Sequence, residues 1–292
     1  MAVDLSKLKE LRERTNSGFL DCKNALEATG NDIEKAIEWL QEKGIVKAAK
    51  KAGRIAADGI VRAAVEGNVA VLFELNSETD FVAKNQMFLD FANLLTSELL
   101  KTPFNTLEDL SSHKIDGSTI EELTTQLTAK IGEKITLRRA IRYEANEGEV
   151  VAGYTHANNR IAVIVKAKGD KAEELRHLAM HIAALNPAHL FETCLPEAEL
   201  KEIHERVEAN PAIQNKPEKI QVSIKAGLLK KEFNEKGVLM YQPFVMEESK
   251  LVKQYLADNG LELLNATRYE VGEGIEKKVV DFAAEVAEQM GK

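Results

Sequence analysis

The feature that most constrains how this 292-residue chain can fold is a pattern that occurs twice. Two apolar runs, Ile60 to Val65 and Val69 to Leu75, flank Glu66-Gly67-Asn68 and are followed by the amphipathic stretch Ala83 to Leu100. Later, Val150 to Thr155 and Ile161 to Ala167 flank Asn158-Asn159 and precede Ala172 to Leu185. Short β-branched runs bounded by Gly and Asn predict a hairpin at each place, and the helical spacing behind each predicts a helix. Arg142-Tyr143-Glu144 and Arg268-Tyr269-Glu270 read as matching further strands, each with a later Glu-Gly. Such units bury their apolar faces by layering helix on sheet, so the expected class is α+β with a pseudo-duplicated core.

Other patterns flank this core. Leu5, Leu8 and Leu11, then Phe19, Leu20, Ala25 and Leu26, then Ile33, Ala36, Ile37 and Leu40 form three apolar stripes at helical spacing. Gly30 and Gly44 mark expected stops of the second and third helices, and Asn31 with Glu34 fits a capping box. Residues 1–52 are therefore expected to be a three-helix bundle and linker, the Lys/Ala-rich stretch Ile45 to Gly59 offering few large side chains to bury. The core follows as 53–140 and 141–186. An inserted helical hairpin over 187–236 is expected from Pro196 to Val207 and Glu218 to Phe233, around a tip from Asn210-Pro211 to Lys216-Pro217. Residues 237–266 return to the second core half, and 267–292 form a C-terminal module.

Several function classes are disfavoured. A net charge of -8 argues against a broad phosphate-binding surface, although Lys43 to Arg54 form a local basic stretch without acids. We expect no nucleic-acid partner. Cys22 and Cys194 lie far apart with no metal-finger spacing, as suits a reducing cytosol. The N-terminus lacks a signal core and no apolar run is long enough to span a bilayer, so the expectation is a cytoplasmic protein without a membrane partner. No P-loop pattern occurs, and Gly272-Glu273-Gly274 lacks a third glycine at Lys277, so no direct nucleotide binding and no cofactor are expected. His177 and His181, with Glu173 one turn earlier, have the spacing of zinc ligands. Leu178 stands where a zinc hydrolase carries its catalytic Glu, which favours packing, no metal site and no catalytic residue.

The most informative segment is Asn76-Ser77-Glu78-Thr79-Asp80-Phe81-Val82, between a strand-like and a helix-like run. A phenyl ring on a polar loop forgoes roughly 1.5 to 3 kcal/mol of burial, so Phe81 is either a core plug or a wedge for a partner. Thr79-Asp80-Phe81-Val82-Ala83-Lys84 resembles the TDFVAK segment of the bacterial translation elongation factor Ts family. The likeness extends to Leu8 through Thr15 with Asp21-Cys22, Lys47 through Gly53, and Ala56-Ala57-Asp58-Gly59. Met180-His181-Ile182-Ala183-Ala184, Gln242 through Glu247 and Val271 through Glu276 continue it, so it covers essentially the whole chain.

The resemblance implies a nucleotide exchange factor for elongation factor Tu, binding both its GDP-bound and nucleotide-free forms. It implies that Asp80 and Phe81, with Thr79 and Val82 shaping the loop, displace the partner's Mg²⁺-binding region. It implies further contacts through Arg12 and the Phe19-Leu20 pair, a core role being the alternative for Phe19 and Leu20, and near Gly132 and His156. The N-terminal helices also resemble a ubiquitin-associated domain, which supports a competing reading as a binding adaptor. Phe19-Leu20 stands where many members of the family carry two methionines.

Overall fold

The computed structural model describes residues 3–15, 17–214 and 216–276. Most of the expected C-terminal module, from 277 on, therefore lies outside the described residues. Helices α1 (Leu5–Thr15), α2 (Phe19–Ala28) and α3 (Ile33–Ala49) bury Leu8, Leu11, Cys22, Ala25, Leu26 and Ala36 against one another. Two local expectations are corrected here. Asp32, not Asn31, caps α3 by accepting from the Lys35 N–H at 3.1 Å, while Asn31 takes a left-handed φ of 62°. Gly44 does not stop α3. A Cβ there would lie 3.1 Å from the Ala129 Cβ, so this glycine permits a close helix crossing.

The first repeat comprises β1 (Asp58–Glu66), β2 (Val69–Ser77), α4 (Gln86–Lys101), the short ribbon β3 (Lys114–Ile115) and β4 (Ser118–Thr119), α5 (Ile120–Ile131) and β5 (Thr136–Glu144). The second comprises β6 (Glu149–Thr155), β7 (Ile161–Lys168) and α6 (Ala172–Leu185). Its closing strand arrives only after α7 (Glu197–Glu208), α8 (Glu218–Glu235), the ribbon β8 (Pro243–Phe244) and β9 (Glu247–Leu251), and α9 (Val252–Asp258), as β10 (Glu262–Glu270). The two sheets share one plan. β2 is central in β1-β2-β5, β7 is central in β10-β7-β6, and all pairs are antiparallel. The repeated Arg-Tyr-Glu triplets keep one local geometry, Arg142 donating to Glu144 at 2.6 Å and Arg268 to Glu270 at 2.7 Å. The divisions expected at 140/141 and 266/267 fall inside β5 and β10, because each third strand pairs along its whole length with the central one.

Alternation sorts the strand side chains between layers. Val71, Phe73 and Leu75 pack beneath α4 with Phe88, Phe91 and Leu95. Val163, Val165 and Ala167 pack against α6 with Leu175, Leu178 and Ile182. The opposite faces, with Val61, Ala70, Leu72, Val151, Ala162 and Ile164, form a third core between the sheets. Both sheets thus have two buried faces, and the order of layers is helix, sheet, sheet, helix.

Glu74 continues the inward face after Ala70 and Leu72, yet it is a fully buried carboxylate. It receives Arg138 at 3.0 Å, Arg139 at 2.6 Å, the Asn76 side-chain amide at 2.9 Å and the Gly272 N–H at 2.8 Å. Removing one member of a buried charge cluster leaves the others uncompensated, typically at about 3 kcal/mol or more. We expect Glu74→Ala to lower unfolding free energy in urea by about that amount, whereas Glu144→Ala, at a half-exposed ion pair, should lower it far less. Equal small losses at both positions would show that Glu74 does not hold the layers.

Candidate partner-binding site

The loop is shorter and more tightly held than the sequence suggests. β2 runs through Asn76 and Ser77, both fully buried, and a 3-10 turn spans Val82–Lys84 before Asn85 caps α4 by accepting from the Met87 N–H at 2.9 Å. Residues 78–81 remain as the loop proper. Ser77 Oγ donates to the Thr79 carbonyl at 2.9 Å. Thr79 donates its N–H and its hydroxyl to the two carboxylate oxygens of Glu133, at 2.9 and 2.8 Å. Val82 drops into the core beneath α4.

Between these anchors Phe81 is 79% exposed. Its φ of -65° and ψ of -44° are unstrained, and with the ring in solvent Phe81 is not a core plug. Beside it, Asp80 accepts from Lys84 Nζ at 2.9 Å. That hydrogen bond is the main reason the Asp80 carboxyl lies below its ordinary pKa, with smaller help from the charges of Lys84 and Arg160.

Strand register gathers the other expected residues around this loop. The pairs Asp58 with Ser77 and Asn76 with Thr136 put the start of β1, the end of β2 and the start of β5 at one end of the first sheet. Thr155 with Ala162 and Glu270 with Ile161 define the corresponding end of the second. These ends are joined by the Val61 N–H to the Asn159 carbonyl at 2.9 Å and by Arg160 to Asp58 at 3.2 Å. His156, exposed in the β6–β7 turn, keeps its Nδ1 3.0 Å from Asn158 Oδ1 and its ring edge-on to Tyr154. Gly132, with φ 92°, ends α5 immediately before Glu133. Thr79, Asp80, Phe81, Val82, Gly132 and His156 therefore belong to one end of the layered core.

Arg12, Phe19 and Leu20 stand apart, on α1 and α2. Phe19 and Leu20 are 50% and 70% exposed, which resolves their alternative against a core role. Among the described residues no hydrogen bond or ion pair joins them to the loop. Instead the connector behind α3 reaches it, Arg54 pairing with Glu78 at 3.2 Å and Lys134 Nζ reaching the Ala52 carbonyl at 2.6 Å.

The histidine pair has structural partners. His181 is buried, its Nδ1 accepting from the Val245 N–H at 3.1 Å, so its Nε2 donates to Gln242 Oε1 at 3.0 Å. Burial pushes its pKa down, partly offset by the bond to Gln242. His177 Nδ1 lies 3.4 Å from the Tyr255 hydroxyl. Among the described residues no cluster of three or more His, Cys, Asp and Glu could hold a metal, and no helix is long and apolar enough to cross a membrane.

Sequence reasoning missed Glu133 and Lys134. The only nearby signal was Gly132 closing a helix, and nothing local tells where the next two residues turn. The Asp80 pairing can be tested directly. A carboxyl whose folded pKa is depressed contributes stability above its unfolded pKa, and that contribution vanishes as pH falls through the folded value. Lys84→Ala should move the Asp80 carboxyl titration, followed by carbon NMR, up toward the ordinary aspartate value and narrow that acid window. An unmoved titration would remove Lys84 as the cause.

The family model described as Elongation factor TS matches residues 78–273, beginning at the first residue of the loop. Elongation factor Ts of Metamycoplasma arthritidis is 69% identical over 290 residues, covering 99% of each chain. The Mycoplasmopsis pulmonis protein of that name is 52% identical over 98% of this chain and 97% of its own. That of Acholeplasma laidlawii is 45% identical over the full length of both. Likeness of this extent, over whole chains and through the loop itself, places the chain in the elongation factor Ts family.

Proposed function

We propose that this chain carries out the nucleotide exchange of its family, on elongation factor Tu in translation elongation, by inserting Phe81 and Asp80 beside the partner's Mg²⁺ and β-phosphate. The observation that carries this reading is a 79% exposed phenyl ring on a loop anchored at Thr79 and Val82. Exposed aromatics on preorganised backbone are effective anchors because little side-chain freedom is lost when they bind.

The chemistry makes or breaks no covalent bond. Phosphate charge in the partner is neutralised by Mg²⁺ and backbone donors, so shifting the segment that holds them weakens GDP binding. An exchange factor must bind the empty partner more tightly than the GDP-bound one, and linkage then requires nucleotide to weaken the factor's own hold by the same factor. Phe81 serves as the wedge and Asp80, carrying its charge at neutral pH, as the polar arm. Thr79 and Val82 shape the loop. This assigns no direct nucleotide binding, nucleic acid or membrane contact to the chain, and sets its work in the cytoplasm.

The remaining residues supply affinity. Arg12 with exposed Phe19 and Leu20 offers a second contact, on the three helices of 1–52, and His156 and Gly132 a third beside the loop. In this division of labour the two core halves position the wedge.

Release of a fluorescent GDP analogue from elongation factor Tu at fixed Mg²⁺ tests the assignment. Wild-type chain should accelerate release strongly, and Phe81→Ala should reduce the saturated rate about 30-fold, in line with the loss of an interface anchor. Leu20→Ala should mainly raise the half-saturating concentration. Full acceleration by folded Phe81→Ala would remove the wedge from this loop.

A further inference from the structure

We infer that the turn Gly132-Glu133-Lys134 is the bracket that sets the exchange loop, with Glu133 as its positioning residue. The inference rests on the reading of Phe81 as the wedge. Asp80 and Phe81 face solvent, so the stiffness of the loop has to come from its neighbours. It comes from a reciprocal pair of contacts. Glu133 of the turn accepts the N–H and hydroxyl of Thr79, while Glu78 of the loop accepts the Lys134 N–H at 2.6 Å. Each segment's carboxylate satisfies the other's backbone, and carboxylate acceptors are among the stronger neutral-donor partners available. The Thr79 hydroxyl also stands 3.5 Å from the Val82 N–H, so fixing it orients the turn that carries Phe81.

Two of the turn's three residues, Gly132 and Lys134, also hold the connector. Lys51 Nζ donates to the Gly132 carbonyl, and Lys134 Nζ donates to the carbonyls of Ala52 and Arg54, whose guanidinium returns to Glu78. The segment leading from the N-terminal helices and the loop bearing the wedge therefore share one anchor. The wedge is ordered before the partner arrives, and no ordering cost falls on the step in which it enters. Without the bracket that cost falls on insertion, while docking through the other surfaces is unchanged.

The test is Glu133→Gln in the full chain, in which the amide nitrogen can no longer accept from Thr79. The saturated GDP-release rate should fall about tenfold, the scale for losing a hydrogen bond to a charged group, with the half-saturating concentration changed less than about twofold. Amide hydrogen exchange should quicken in 78–82 and stay unchanged in 70–76. A raised half-saturating concentration with an unchanged saturated rate would make Glu133 a direct partner contact, and no change in either would make the bracket irrelevant; both overturn the inference. Should Glu133→Gln fail to fold, Glu133→Asp, which keeps the charge but shortens the reach, should show the same split at smaller size, and full wild-type behaviour there would overturn the inference equally. Wild type and Phe81→Ala in the same assay separate the outcomes. If Phe81→Ala is inert the wedge reading fails, whereas a strong Phe81→Ala effect beside a silent Glu133→Gln removes only the bracket.

Discussion

A single buried carboxylate governs how the layers meet. Glu74 occupies an inward position where the alternation of β2 otherwise supplies Ala70 and Leu72. An unpaired charge there would be very costly, so the fold is acceptable only when Arg138, Arg139 and the Gly272 N–H are all in place. The β2–β5 register shifts between Glu74 and Leu75, which are paired with Arg139 and Leu137, leaving Arg138 as the extra residue. That bulge lets two consecutive guanidinium groups reach one carboxylate. Arg139 then continues to the Glu270 carbonyl and stacks 3.9 Å over the Tyr269 ring. The end of the second repeat is thereby fastened to the middle of the first.

This fastening lies a few residues from the loop. From Glu74, β2 continues through buried Asn76 and Ser77 and Thr79 lies just past its end, while β5 runs back from Arg139 to Thr136 and Glu133 lies just before its start. Core and loop thus depend on two adjacent strands, with a charged cluster between them and the Thr79 to Glu133 contact just beyond their ends. Gly59 sits between them for a steric reason. With φ 128°, a Cβ there would lie 2.1 Å from the Leu75 carbonyl oxygen, so only glycine lets β1 close on β2 at this end.

Much of this was legible in the sequence where contacts are local. Both hairpins and α6 appear where alternation and helical spacing put them, because period and turn chemistry act over a few residues. Errors arose where tertiary packing decided. Gly44 reads as a stop until Ala129 of a distant helix lies against it, and β2 outruns Leu75 because Asn76 and Ser77 are paired and buried despite their polarity. Helix α5 escaped notice although Thr119 and Glu122 form a capping box at its start. At the site, Asp80 and Phe81 stood out as an acid and an aromatic on a polar loop. Glu133 did not, since its partner Thr79 is 54 residues away and only the β2–β5 pairing brings the two together.

In the proposed function, one end of the layered core, bearing the Asp80-Phe81 loop and the His156 turn, is the face that engages elongation factor Tu. Amide hydrogen exchange of this chain, alone and with nucleotide-free elongation factor Tu, tests it most directly. Exchange should slow in residues 78–84 and 156–160 on complex formation. Unchanged exchange in both segments, with protection confined to the helices at 197–235, would contradict it.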